Sequence, residues 1–347
     1  MVQEGRMALT GTKLADRVRQ LFLPSDMGKG LWPMDLLVIT YAMLTLGFTA
    51  VLWHQLANPW SLVTNRITVF ILIAVMWGIY RIWPTRLMSF FRISLQMTLL
   101  NLWYPETYEF NCIRPNLDHV FAKCDAILFG CQPSLEFSRL CPWEWFCEAV
   151  NMGYFSYYPM ILLVMMFFAF CRYKKYERAS FVVMCSFFIF YFIYIFLPVA
   201  GPQFYFWAVG TDTVANGIFP QLGTYFSNHT EMLTAPGNPN GLFYGLVNWA
   251  QETGEHPTAA FPSSHIGITL ILLYLVYPES KKLFYILLPF SVLLALATVY
   301  IQAHYLIDAF AGVLTSIPVF FLSQWLYNVF FNKDSGTEHH TVSASRK

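Results

Sequence analysis

The sequence predicts an all-α, polytopic membrane helical bundle of about eight transmembrane helices, and three observations carry that prediction. Hydrophobic residues make up 56% of the 347 and aromatics 18%. Only 12% are charged, where soluble domains average about 25%. The apolar residues also fall in runs of about 18 to 23, the length needed to cross a bilayer. Lys plus Arg is 21 and Asp plus Glu is 20, for a net charge of +1. This balance excludes a disordered chain, a nucleic-acid binder relying on a basic field and a disulfide-held miniprotein.

Residues 1–32 read as a polar cytoplasmic leader without the character of a signal peptide. Within it Leu14, Val18, Leu21 and Phe22 recur at helical spacing with Arg17 and Arg19 between them, the pattern of a helix lying in the membrane interface. A solvated leader without regular structure is the alternative. Seven spans follow at 33–53, 66–83, 153–171, 178–197, 261–277, 282–301 and 304–326. The stretch 86–104 is long enough to be an eighth but carries Arg92 and Gln96 inside it.

Positive charge decides that case. Basic clusters precede the first span (Arg6 to Lys29), fill the turn at Arg172, Lys174, Lys175 and Arg178, occupy Lys281 and Lys282, and recur in the tail at Lys333, Arg346 and Lys347. All share the cytoplasmic side only if the chain crosses once between residues 84 and 152. The resulting divisions are the leader, N-terminal transmembrane helices at 33–104, an outer Cys-rich loop at 105–152, a catalytic transmembrane core at 153–326 and a cytoplasmic tail at 327–347. The core includes a second outer loop, 198–260, in which residues 241–252 (GLFYGLVNWAQE) read as a short amphipathic helix. Five of the seven cysteines, Cys112, Cys124, Cys131, Cys141 and Cys147, lie in the first outer loop, which predicts one or two disulfides on the oxidising side. No CxxC or histidine spacing accompanies them, so neither a metal nor a cofactor is expected.

Two elements place ionisable groups at helix ends. In Phe261-Pro262-Ser263-Ser264-His265, at the start of a span, proline suits a first helical turn and the free backbone N–H groups and helix dipole make an anion site. In His304-Tyr305-Leu306-Ile307-Asp308 the histidine and aspartate are four apart, so on a helix they share a face and the carboxylate can hold an imidazole N–H. The topology puts both histidines at the outer membrane surface.

FPSSH and HYLID resemble the second and third signature motifs of the type 2 phosphatidic acid phosphatase superfamily, over residues 150–326. FLPVAGPQFYF at 196–206 stands in the place of the first motif. The resemblance implies a six-helix phosphatase-like core that breaks phosphoester bonds without metal. Where those phosphatases carry basic residues, this chain has Thr298 and Gln203, and no Lys or Arg occurs between Arg178 and Lys281. Ser264 stands where phosphatases commonly have glycine.

A phosphomonoester dianion wants a guanidinium clamp, while a phosphodiester needs less. These departures, with the TxYxxxHYxxDxxAG pattern, look more like the inositol phosphorylceramide synthase branch. That resemblance implies a phosphatidylinositol-type lipid and ceramide as substrate partners. His304 would be the nucleophile that becomes phosphohistidine, Asp308 its orienting group and His265 the acid and base. Pro262, Ser263 and Ser264 would form the phosphoryl cradle, and Gln203, Tyr205 and Tyr300 are candidate headgroup contacts. His229 and His256 read as solvated, and Asn228-His229-Thr230 as a glycosylation acceptor. A lipid phosphatase using water keeps the same histidines. A lipid transporter or lipid-binding subunit gives no reason for the spacing of His304 and Asp308.

Overall fold

A computed structural model describes residues 19–335 of the chain. Helices α1 (Pro33–Val51) and α2 (Pro59–Ile82) precede a broken pair, α3 (Arg86–Thr98) and α4 (Leu100–Asn111). Three shorter helices follow, α5 (Asp118–Phe129), α6 (Pro133–Leu140) and α7 (Glu144–Phe155), the last bending by 45° into α8 (Tyr157–Cys171). α9 (Tyr176–Phe196) leads to α10 (Pro202–Val209), α11 (Thr211–Ala215) and α12 (Leu242–Gly254). α13 (Ser264–Val276), α14 (Lys281–Tyr300) and α15 (Leu306–Ser335) complete the order.

The protein is a largely helical, multi-pass membrane protein. Among the described residues, five helical segments are long and apolar enough to cross a bilayer, or six if the bent α7–α8 pair is one span. Three predicted spans differ from expectation, and 153–171 is one of them, bent by 45° where α7 meets α8. The stretch 86–104 is interrupted at Leu99, and the 261–277 stretch forms a helix of only 13 residues. The stretch 105–152, read as a loop, is mostly helix: Gly130 takes a left-handed φ of 72° to end α5, and Pro133 opens α6 in the first-turn position that proline suits. The predicted amphipathic helix at 241–252 is α12. Most of the predicted interfacial leader helix and most of the tail lie outside the described residues.

The disulfide expectation is corrected. All seven cysteines are free. The five in the 105–152 stretch are dispersed over separate elements, and Cys147 is buried with its sulfur 2.8 Å from the Tyr300 hydroxyl.

The core is organised by α9, nearly all of whose residues are buried, and which packs against α1, α4, α8, α13 and α15. Two buried arginines are paired with carboxylates. Arg66 donates to Glu106 at 2.9 Å and to the Thr45 hydroxyl at 3.0 Å, and lies over the Trp103 ring. Arg92, on the stretch whose charge made it ambiguous, pairs with Asp35 of α1, which also accepts from Gln96 at 2.7 Å and from the Trp32 N–H at 2.6 Å. Both members of the pair are fully buried. Removing one partner of such a pair leaves an uncompensated charge, so Arg92→Met is expected to cost about 3–5 kcal/mol. The thermal midpoint in detergent should fall sharply and be largely recovered in Asp35→Leu/Arg92→Met.

The bundle has two chemically distinct ends. At one, Arg172 donates to Glu279 at 3.2 Å, Lys175 pairs with the same carboxylate, and the Tyr173 hydroxyl meets Ser25 and Ser89 at 2.7 and 3.0 Å. Arg86 of α3 lies 3.9 Å from Asp26 at that end. Asn111, which ends α4, bonds at the other end to Thr258 and, at 3.2 Å, to the Tyr194 carbonyl. Residues 86–111 therefore run the length of the bundle as a broken helix.

Candidate active site

The site lies at the second end and is built on two backbone turns. Ser263 caps α13, its hydroxyl accepting from the Ile266 N–H at 3.5 Å, which puts His265 in the first turn. Between α14 and α15 the chain reverses through residues 301–305. There the His304 N–H bonds to the Thr298 carbonyl at 2.9 Å, and Gln302 adopts a positive φ of 65°. Gly201, whose φ is +100°, lies against this turn: a Cβ there would stand 2.7 Å from the Ala303 carbonyl oxygen. Gly312 of α15 allows a similar approach, since a Cβ would stand 2.6 Å from the Ser263 carbonyl oxygen. Small residues thus bring the two histidine-bearing segments together.

His265 Nδ1 and His304 Nε2 are 3.3 Å apart. His304 Nδ1 lies 2.7 Å from the Ala260 carbonyl, which can only accept, so this nitrogen carries the proton. The Nε2 of neutral His304 then presents a lone pair towards His265, whose Nδ1–H is the donor. His304 is buried, while the half-buried His265 ring sits between Tyr154 and Tyr157 at centroid distances of 4.9 and 4.6 Å. The pair presents a nucleophilic nitrogen and a proton donor to the same small volume.

The expected pairing of Asp308 with His304 is modified. α15 begins at Leu306, so the two residues do not share a helical face. Asp308 Oδ2 accepts the Tyr305 N–H at 2.9 Å and lies 3.7 Å from His304 Nδ1. A backbone carbonyl fixes the tautomer, and Asp308 supplies a nearby negative charge.

The remaining expectations divide. Pro262 precedes the helix cap, and its carbonyl accepts from the Tyr194 hydroxyl at 2.8 Å. The Ser263 N–H is held by the Asp308 carbonyl at 3.1 Å and the Ser264 N–H by the Tyr194 hydroxyl at 3.0 Å, so both amides are engaged within the protein. Tyr205 donates to the Pro220 carbonyl at 2.9 Å, and Tyr300 donates to the Cys141 carbonyl at 2.9 Å. Neither hydroxyl is brought to the histidines. Gln203 is: its N–H bonds to the Gln302 carbonyl at 2.8 Å, and its side chain joins a polar chain. In that chain Gln251 donates to Gln203 at 2.9 Å, Gln203 donates to Glu255, and Tyr154 donates to Glu255 at 2.7 Å. His229 stacks on Tyr225 and His256 on Tyr108.

Sequence reasoning missed Glu255, Gln251 and two aspartates of α5. Asp118 accepts from the Ala200 and Gly201 N–H groups at 2.7 and 2.8 Å and from the Tyr305 hydroxyl at 3.0 Å. Asp125 accepts from the Leu306 and Ile307 N–H groups at 2.8 and 3.0 Å. Burial pushes both carboxyls up to about 6 against these hydrogen bonds, so the ionised, accepting forms predominate above that pH. The available signal was an acidic pair seven residues apart, two helical turns, in the segment DHVFAKCDAILF. Among the described residues, no group of three or more His, Cys, Asp or Glu is arranged to hold a metal ion.

At one end of a helical membrane bundle, two histidines face each other. The family model described as the PAP2 superfamily matches residues 125–322, more than half of the chain, and the chain belongs to that superfamily as a membrane enzyme of the lipid-phosphatase type. No curated protein and no solved structure matches it.

Proposed function

We propose that the protein breaks the phosphoester bond of a membrane lipid through a phosphohistidine on His304. His304 Nε2 attacks phosphorus, the bond from phosphorus to the lipid oxygen breaks, and His265 Nδ1–H protonates that oxygen. An acceptor hydroxyl then attacks the phosphohistidine, His265 takes its proton and His304 is released. The carrying observation is the 3.3 Å pairing of the two ring nitrogens, with the remaining nitrogen of His304 fixed on Ala260. When the N–P bond forms, the imidazole becomes cationic, and Asp308 at 3.7 Å stabilises it. With water as acceptor this is lipid phosphatase chemistry, the reading that family membership favours.

A second reading has its own support: transfer of an inositol phosphate headgroup from a phosphatidylinositol-type donor to ceramide. No Lys or Arg occurs in residues 179–280, which include the His265 motif and the Gln203 chain. The carboxylate of Glu255 lies in that chain, hydrogen-bonded to Gln203 and Tyr154. A carboxylate repels a phosphomonoester dianion but accepts hydrogen bonds from a hydroxylated headgroup. The purified protein should be given labelled phosphatidylinositol, with and without ceramide, and phosphatidic acid under matched conditions. Ceramide-dependent headgroup transfer outpacing phosphate release from phosphatidic acid supports the second reading. The reverse order establishes the phosphatase.

We also propose eight crossings, with the histidine end on the non-cytoplasmic side. Support comes from the turns at 172–178 and 281–282, whose basic residues gather at the opposite end, and from the path of residues 86–111 between the ends. Asn216→Cys is expected to label with an impermeant maleimide from the outer side of sealed vesicles. Labelling only after permeabilisation from the cytoplasmic side overturns the orientation.

A further inference from the structure

We propose that Asp118 and Asp125 of α5 are positioning residues that hold the His304 imidazole in its reactive orientation. The inference rests on the reading of His304 as the reacting group. It extends the site to a helix whose first residue, Asp118, lies ahead of the family match at 125–322.

The hydrogen bonds form two clamps. Asp118 Oδ1 accepts from both the Gly201 N–H and the Tyr305 hydroxyl, and Oδ2 accepts from the Ala200 N–H and from Asn116. The same carboxylate therefore reaches the residue next to His304 and the 199–201 segment. That segment holds the imidazole's partner, because the Val199 carbonyl accepts the Ala260 N–H at 3.1 Å while the Ala260 carbonyl accepts His304 Nδ1–H at 2.7 Å. Asp118 thus ties the Tyr305 side chain, one residue beyond His304, to the segment that holds the acceptor that sets its tautomer.

Asp125 works on the other side of the turn. Its two oxygens separately accept the N–H groups of Leu306 and Ile307, at the start of α15. Those amides have no partner within the helix, and a negative charge there opposes the helix dipole favourably. The spacing of seven residues puts both aspartates on one face of α5. His304 is consequently held through Tyr305 and Leu306 after it, through the bond from the Gln203 N–H to the Gln302 carbonyl before it, and through Ala260 at its ring. Both carboxylates are fully buried, and these hydrogen bonds, not solvent, satisfy them.

Asparagine is close in size but replaces one acceptor oxygen with a donor, which must then face an N–H. A misplacement of about 1 Å at a reacting group can cost about 100-fold in rate. Asp118→Asn and Asp125→Asn are therefore expected to lower kcat by about 10- to 100-fold with KM within about twofold, using phosphatidylinositol and phosphatidic acid in mixed micelles. Asp125→Glu, which keeps both acceptors on a longer arm, should recover part of the loss. Lys123→Gln, at an exposed position of the same helix, serves as the unchanged control.

A readout independent of turnover separates this proposal from the functional reading. Carbethoxylation by diethyl pyrocarbonate, mapped by mass, reports the exposure and nucleophilicity of His304 in the intact protein. Both asparagine variants should change the His304 modification rate at least severalfold in the folded protein, measured below the lowered thermal midpoint that a buried donor facing an N–H entails. Unchanged kcat and unchanged modification in both variants would overturn the positioning role. So would a loss confined to folded yield with normal kcat in the surviving protein. Altered modification in a protein inactive on both lipids sustains the positioning role and defeats the functional reading instead.

Discussion

His304→Ala is expected to abolish turnover, by about 10⁴-fold or more, and to leave no covalent intermediate. The expectation rests on geometry: His304 Nε2 is the ring nitrogen left unprotonated once Nδ1 is committed to the Ala260 carbonyl. Alanine removes that lone pair without disturbing the bonds of the His304 N–H to Thr298 or of the Tyr305 N–H to Asp308, so the turn should persist. Acid-labile label from a phosphorus-labelled lipid, trapped by rapid denaturation and mapped by mass, is the measurement. Full activity in His304→Ala, or label residing on His265, would reverse the assignment.

His265→Ala should fail in a different way. This residue supplies a proton to the leaving oxygen and later removes one from the acceptor, contributions worth about 10²–10⁴-fold. The nucleophile survives, so phosphorylation of His304 should still occur, slowly with a natural lipid and quickly with a nitrophenyl phosphoester whose leaving group needs no proton. Resolution of the intermediate requires the missing base in both cases. The variant is therefore expected to give a burst of nitrophenol close to one equivalent, followed by a slow steady state. An absent burst, with phosphorylation slowed equally for both donors, would show that His265 acts before proton transfer, through binding.

The two histidines were legible because each occupied a short motif whose residue types have few other reasons to stand at the end of an apolar helix. The approach of Asp308 to His304 was legible from their spacing, but its geometry was not, because a four-residue spacing was taken as helical. Here the helix starts only at Leu306, and a left-handed Gln302 shapes the turn that carries His304. Tyr205 and Tyr300 illustrate a second difficulty. Their hydroxyls were available on paper, but each is consumed by a backbone carbonyl from a segment distant in sequence, Pro220 and Cys141.

Composition revealed the membrane bundle, and the hydrophobic runs located its long helices. The burial of Arg92 against Asp35 shows how a charge within a predicted span can find its partner 57 residues away. The 105–152 stretch was opaque for a related reason. Its helices are short, and their polar residues make sense only against what they grip. Asp118 reads as an ordinary loop acid until Ala200, Gly201 and Tyr305 are brought to it.

The length of α13 bears on how a lipid arrives. Its 13 residues rise about 20 Å, whereas the hydrocarbon core of a bilayer is about 30 Å thick. On the proposed topology, with the Val276 end at the cytoplasmic surface, His265 would lie beneath the level of the opposite headgroups and the surrounding bilayer would have to thin or dip to meet it. A lipid drifting sideways in that leaflet would then bring its ester linkage to the histidines while its acyl chains remained among their neighbours. Extraction into water, a costly step in handling a two-chain lipid, would then be absent from the catalytic cycle. Acyl-chain length should consequently have little influence on turnover, while bilayer thickness should have a large one.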